Sequence, residues 1–433
     1  MDEKTIFLPN IIGLFGAAVG VSIISSMGGV GGGGILIPLY AIIGNVPLKQ
    51  AIKLSVMTIL GNALVRAIYY SFKRHRATKE RFLTDYNIVR LVVPFAATTA
   101  YLGWYLNKIL PNVIIFAMIV ILLIFLIYKS IKKTIAYIKK SKNQKSGIIV
   151  IDDDQEMRIP DNDDKNNEDK NNEDIDNGNN QNNENRDNEK HEDNDENDMD
   201  DIDIESQLSR RKGENKKFAI NNLIYIFLSF VIIVIFSFLR KGKNGTIDGW
   251  LIYLGQVIIM VFVCHTTICH IFDIFKLRKM SNFNWVEGDI PWNKPKAFIK
   301  YSILALGVGF LSPLLGIGGS IIMNPIMIEF NMLPDVVVAT SSMISFFSVL
   351  IAVIQILIID GIIEWYFPIL TLCGIFGAII GLTILRVFKN SIRLAILVII
   401  VIILIGSLVL LIIYNSIDFI INGISFELGT VTP

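Results

Sequence analysis

Cysteine is scarce: three in 433 residues, Cys264, Cys269 and Cys373, all inside apolar stretches. That excludes a disulfide framework and leaves the redox compartment unmarked. A surplus of either charge is missing too, with 40 Lys and Arg against 39 Asp and Glu for a formal net charge of +1. Nothing in that balance marks a nucleic-acid partner. No serine or cysteine triad pattern, His-Glu-x-x-His helix or Walker loop is present, so enzymatic chemistry has no visible carrier and no cofactor is implied. The start, Met1-Asp2-Glu3-Lys4, lacks the basic opening of a secretory signal, and Ile6–Met27 is read as a retained first helix.

What the chain has is apolar length. It is 52% hydrophobic, with a mean hydropathy of +0.53. The runs Asn112–Tyr128, Ile220–Leu239, Leu251–Ile268, Tyr366–Leu385 and Leu394–Tyr414 approach or reach the roughly 20 residues that cross a bilayer as helix. The fold class predicted is all-α, a polytopic membrane protein, with the choice of membrane left open. Residues 1–138 read as a first transmembrane repeat, and 139–217 as an Asp/Asn-rich disordered linker whose core, Asp152–Glu205, has too little apolar surface to offset its ordering entropy. An extra helix pair follows at 218–275, a loop at 276–296, a second repeat at 297–415 and a tail at 416–433.

The repeats announce themselves through one pattern. Gly28-Gly29-Val30-Gly31-Gly32-Gly33-Gly34-Ile35-Leu36-Ile37-Pro38 returns as Gly316-Ile317-Gly318-Gly319-Ser320-Ile321-Ile322-Met323-Asn324-Pro325. At an offset of 287 residues Gly31 meets Gly318, Pro38 meets Pro325, Pro47 meets Pro334 and Ser55 meets Ser342; beyond a longer first-copy loop, Pro94 meets Pro368 and Gly103 meets Gly377. Glycine runs break helices, and in lipid a break frees backbone groups that need partners in protein, water or ligand. Ile35–Ile43 is too short to span alone and is half a broken helix or one limb of a re-entrant hairpin. If it and Ile321–Phe330 count as crossings, the basic loops Lys73–Arg81, Lys129–Lys145, Arg210–Lys217, Lys276–Lys300 and Arg386–Arg393 share the cytoplasmic side and the repeats are inverted. Arg240-Lys241-Gly242-Lys243 then falls outside, against the rule, beside the glycosylation sequon at Asn244.

Chemistry has three candidate seats. The breaks present successive N–H groups at helix starts, a ready anion site, although small residues also serve close helix packing. The match of Gly29–Gly34 to Gly-x-Gly-x-x-Gly is set aside, with no strand before it and no acidic residue suitably after it. Second, Ser55, Thr58, Asn62 and Arg66 stand on one helix face, and Ser341, Ser345 and Ser348 on another, with Thr340 and Ser342 beside them. Such stripes line a pathway or bond back to their own helix. Arg66 is a counter-ion or snorkels toward the basic Lys73–Arg76 end. Third, His265 and Cys269 share a face but fit no metal spacing and read as packing.

On these duplicated segments, and on the small-polar stretch Ala339-Thr340-Ser341-Ser342, the chain resembles the sulfite exporter TauE/SafE family of membrane permeases, in both hydrophobic blocks but not in the acidic insert or the pair Phe218–Phe275. The resemblance implies two related halves and export or exchange of small anions such as sulfite or sulfonated organic acids. It places the site at Gly31, Gly32, Gly33 and Gly34 with Pro38, and at Gly318, Gly319 and Ser320 with Asn324 and Pro325. The residues add Ser55, Thr58, Asn62, Arg66, Ser341, Ser342 and Ser345 to the expected substrate path, and no metal. The expected function is a secondary anion carrier; the alternatives are an anion channel and a non-transporting scaffold working through its tails. The expected partners are the anion and the bilayer, with room for a homo-oligomer.

Overall fold

A computed structural model describes residues 8–29, 31–75, 81–145, 220–280, 295–330, 332–359, 365–387, 402, 403, 405–413 and 416. The linker core, the 281–294 stretch with Trp285 and Trp292, and nearly all of the tail lie outside these residues. Met1–Tyr137 and Lys212–Pro433 form one compact unit, which holds everything below; Ile138–Arg211 form a second, of which only the last turns of one helix are described.

The described elements are helices, plus an isolated antiparallel bridge between Arg74 and Phe82. In chain order they are α1 (Leu8–Gly28), α2 (Gly33–Gly44), α3 (Leu48–Ser71), α4 (Tyr86–Ile109), α5 (Asn112–Lys145), α6 (Ile220–Arg240), α7 (Ile247–Met280), α8 (Pro295–Leu315), α9 (Gly319–Glu329), α10 (Pro334–Ile354, extended by a wide π turn Gln355–Ile359) and α11 (Tyr366–Val387). Among the described residues seven helices are long and apolar enough to cross a membrane. Helices are the rule because lipid offers no partner for an unpaired backbone group. Their ends follow local chemistry. Asp85 accepts from the Asn87 N–H at the start of α4, Pro334 opens α10, and Asn45, at φ 48°, closes α2 in the left-handed region that asparagine tolerates.

Contacts fix the direction of each helix. Gly44 lies against Leu14 and Gly32 against Val21 and Ser25, so α2 runs back along α1 as a hairpin. Tyr301 stacks on Phe330 at 4.7 Å and Gly319 lies against Val308, so α9 runs back along α8 in the same manner. Helix α11 runs parallel to α3, with Gln50 bonded to Tyr366 and Thr371 to the Met57 carbonyl, and parallel to α1, with Gly377 on Ser22 and Gly381 on Ser26. Helices α4 and α8 are parallel to each other, tied by Thr99 to Leu306 at 2.7 Å and Asn107 to Leu314 at 2.6 Å. They oppose α3, whose Lys49 reaches the Lys108 carbonyl at the far end of α4. Helix α10 opposes α3 as well, its Ala339 clustering with Tyr70 near the end of α3. The packing partners also match between copies: α1 with α11 and α8 with α4, α3 with α11 and α10 with α4, and α3 with α10 between them.

Candidate functional site

The two breaks meet. Gly29 and Gly316, equivalent positions, both have φ +66°, a conformation that strains any residue with a Cβ. Each lies against the opposite copy, Gly29 on Val338 of α10 and Gly316 on Ile52 and Ser55 of α3. Their carbonyls are held across the copies too: Asn324 Nδ2 donates to Gly29 at 2.6 Å, and Ser55 Oγ to Gly316 at 2.9 Å. Gly31, Gly32, Gly33, Gly34, Gly318 and Gly319 are buried. A Cβ added at Gly33 would sit 2.7 Å from the Gly316 carbonyl oxygen, and one at Gly31 would sit 3.0 Å from Ser320 Oγ. One at Gly318 would sit 2.6 Å from Ser345 Oγ, and Ile59 of α3 reaches both Gly33 and Gly318. The glycines therefore let the backbones close on one another as a seal at the level of Ile59.

Polarity persists at the seal. Ile35 and Leu36 both donate to the Gly32 carbonyl, and Ile321 to that of Gly318, closing the first turns of α2 and α9. Pro38 and Pro325 lie inside those helices, and each lacks the N–H that would have bonded four residues back, to Gly34 and Ile321 respectively. Ser312 Oγ, Ser320 Oγ, Ser345 Oγ and Asn324 Oδ1 are buried with no hydrogen-bond partner.

The α3 stripe runs away from this seal. Ser55, Thr58 and Arg66 are 0% exposed and Asn62 is 2% exposed. Thr58 pairs with the Tyr40 hydroxyl at 2.7 Å. Asn62 donates to the Ser22 carbonyl at 2.9 Å and to Ser25 Oγ at 3.3 Å, and its own Oδ1 has no donor. Arg66 does not snorkel: its guanidinium is enclosed, and Nε, Nη1 and Nη2 all lack a hydrogen-bond partner. In α10 the hydroxyls divide. Ser341 and Ser342 both turn back to the Val338 carbonyl, Ser345 stays unpartnered beside Gly318, and Thr340 accepts from the Asp85 N–H.

Some polar partners have no place in the sequence reading. Ser22, Ser25 and Ser26 on α1 form a small-polar face at i, i+3 and i+4 that repeats the logic used for α3. Arg90 of α4 donates to Asn222 of α6 at 2.9 Å, touches His270 of α7 and lies 4.0 Å over the Tyr225 ring, docking the extra helix pair. His265 and Cys269, exposed on α7, are 3.8 Å apart. Asn244 is 4% exposed, so the folded turn between α6 and α7 does not present its amide to solvent.

Spans, breaks and enclosed polar stripe together define an integral, multi-pass helical membrane protein. A family model for the sulfite exporter TauE/SafE matches residues 13–153 and 217–409, and the chain belongs to that family. The match includes the helix pair at 218–275, which the sequence resemblance left out. The chain is similar to sulfite exporter TauE/SafE family protein 3 of Arabidopsis thaliana, 23% identical over 362 residues covering 81% of this chain and 65% of the relative. Family protein 2 of the same plant is 22% identical over 359 residues, covering 78% and 68%. The chain thus spans about two thirds of the length of these relatives. No solved structure matches it.

Proposed function

We propose that the chain is a secondary carrier moving a small oxyanion, of the sulfite or organosulfonate class, across its membrane. The observation that carries this is Arg66: a guanidinium on a membrane-spanning helix, 0% exposed and without a hydrogen-bond partner. A buried charge left unpaired is costly, and inside a membrane such residues mark substrate paths. Its planar donor fork suits two oxygens of one anion, and Asn62 stands one turn away on the same face. The substrate class draws on the family's name and on the names of its relatives.

Helix directions support an alternating mechanism. The equivalent pairs α1 and α8, and α3 and α10, run in opposite senses, as inverted repeats do, and each repeat carries a helical hairpin whose glycine turn packs against the other's. The breaks then act as the seal that one repeat opens by rocking against the other. A standing anion channel is disfavoured by the contact between Gly33 and Gly316.

The test is sulfite flux in proteoliposomes, with sulfate and a sulfonate as competitors. Wild type should show saturable flux and counterflow, and Arg66→Gln should lose at least about tenfold, the worth of ~1.4 kcal/mol, while remaining inserted and monodisperse. Undiminished flux through Arg66→Gln would remove the counter-ion and with it the reading.

A further inference from the structure

The opposite end of α3 carries a cavity that the path above does not use. It lies among α3, α4, α8 and α10, and its polar lining is Lys53, Asn107 and Lys108. Its volume is about 20 Å³, room for about one water. Lys49 lies beside this lining, donating to the Lys108 carbonyl at 2.8 Å, and the Lys108 ammonium lies 4.7 Å over the Trp104 ring. Three basic residues thus stand near one end of a helix whose other end holds Arg66.

Location gives the cavity meaning. Ile52, in its wall, is the residue packed against Gly316, and Ser55, next along α3, donates to the Gly316 carbonyl. The cavity therefore abuts the second break. Ile59, which reaches both Gly33 and Gly318, falls midway between Lys53 and Arg66. Those two are 13 positions apart in sequence, about 20 Å along a helix axis. One helix thus holds a cation on either side of the seal.

We propose that the Lys53–Asn107–Lys108 cavity is a second anion station, occupied after the seal opens and before release. This rests on the carrier reading. The two stations differ in chemistry. Arg66 offers a rigid fork that discriminates by shape, whereas ammonium groups are flexible, strongly hydrated point charges. The Lys53 end therefore holds small anions with little discrimination, which suits release into water, and the Arg66 end supplies selectivity. At one-water size, the cavity admits a sulfite ion only once its walls shift, which ties occupancy to the opening of the neighbouring break. The second copy has no such pair: at the 287-residue offset, Lys53 and Arg66 correspond to Thr340 and Val353. The two inverted halves are thus alike in fold and unlike in charge.

The experiment measures half-saturating sulfite at each face separately, in proteoliposomes sorted by orientation, for wild type, Lys53→Gln/Lys108→Gln and Arg66→Gln. The lysine pair should raise the value about tenfold at one face only and weaken inhibition by sulfite added at that face, as expected for losing ~1.4 kcal/mol of charge interaction. Lys53→Arg/Lys108→Arg should restore affinity, which separates charge from packing if the glutamine pair is poorly folded. Face-specific affinities unchanged in the glutamine pair, or lost equally in the arginine pair, would overturn the second station while leaving the carrier reading intact. Wild-type protein with no saturable sulfite flux would overturn both.

Discussion

The contact between the breaks makes a sharp prediction at Gly33. A Cβ there would lie 2.7 Å from the Gly316 carbonyl oxygen and 2.9 Å from Ile317 Cα, both backbone atoms, whereas ordinary contact begins near 3.4 Å. The breaks in Gly33→Ala must part by the difference, about 0.7 Å. Forcing a methyl into a closed core costs about 1–3 kcal/mol. Gly16→Ala on α1 is the control, since nothing lies within 4 Å of its added Cβ and alanine gains up to ~1 kcal/mol in helix propensity. Thermal or denaturant unfolding in detergent should place Gly33→Ala below wild type and Gly16→Ala at or above it. On the carrier reading this strain falls on the sealed state alone, which shifts the balance from sealed toward open by about 5–150-fold. Sulfite leak from loaded liposomes should rise accordingly. Equal stability and equal leak in the two variants would show that the breaks do not touch, and the seal would be refuted.

Two further outcomes follow from single interactions. Asn324→Leu removes the donor at 2.6 Å from the Gly29 carbonyl and leaves that acceptor buried, so it should cost about 1–3 kcal/mol of stability; Asn324→Gln, with its amide retained, should recover part of it. Arg90→Met breaks the link to Asn222 and His270 and the stacking on Tyr225, and should speed hydrogen exchange in α6 and α7 with little change in α1 to α3. Arg90→Lys should rescue this poorly, because an ammonium lacks the planar fork and stacks less well.

The helices were legible because lipid leaves a chain so few options: an apolar stretch of sufficient length is helix, and a glycine run within it is a break. Even the short α2 and α9 fall where the duplicated pattern puts them. The mutual contact of the breaks was not legible, since an offset of 287 residues says that two segments are equivalent and nothing about whether they face each other. The α10 hydroxyls show the limit of reading stripes. Ser341 and Ser342 satisfy themselves on the Val338 carbonyl, an option every helical serine has whatever its face. Arg66 shows the opposite case. The sequence allowed it to snorkel or to point inward, and packing settles the matter: its side chain is enclosed at 0% exposure, with all three guanidinium nitrogens buried. Duplication makes a scaffold readable because both copies obey the same packing. On the proposed anion path the copies disagree, Arg66 standing against Val353 and Lys53 against Thr340, so those positions carry what the shared packing does not.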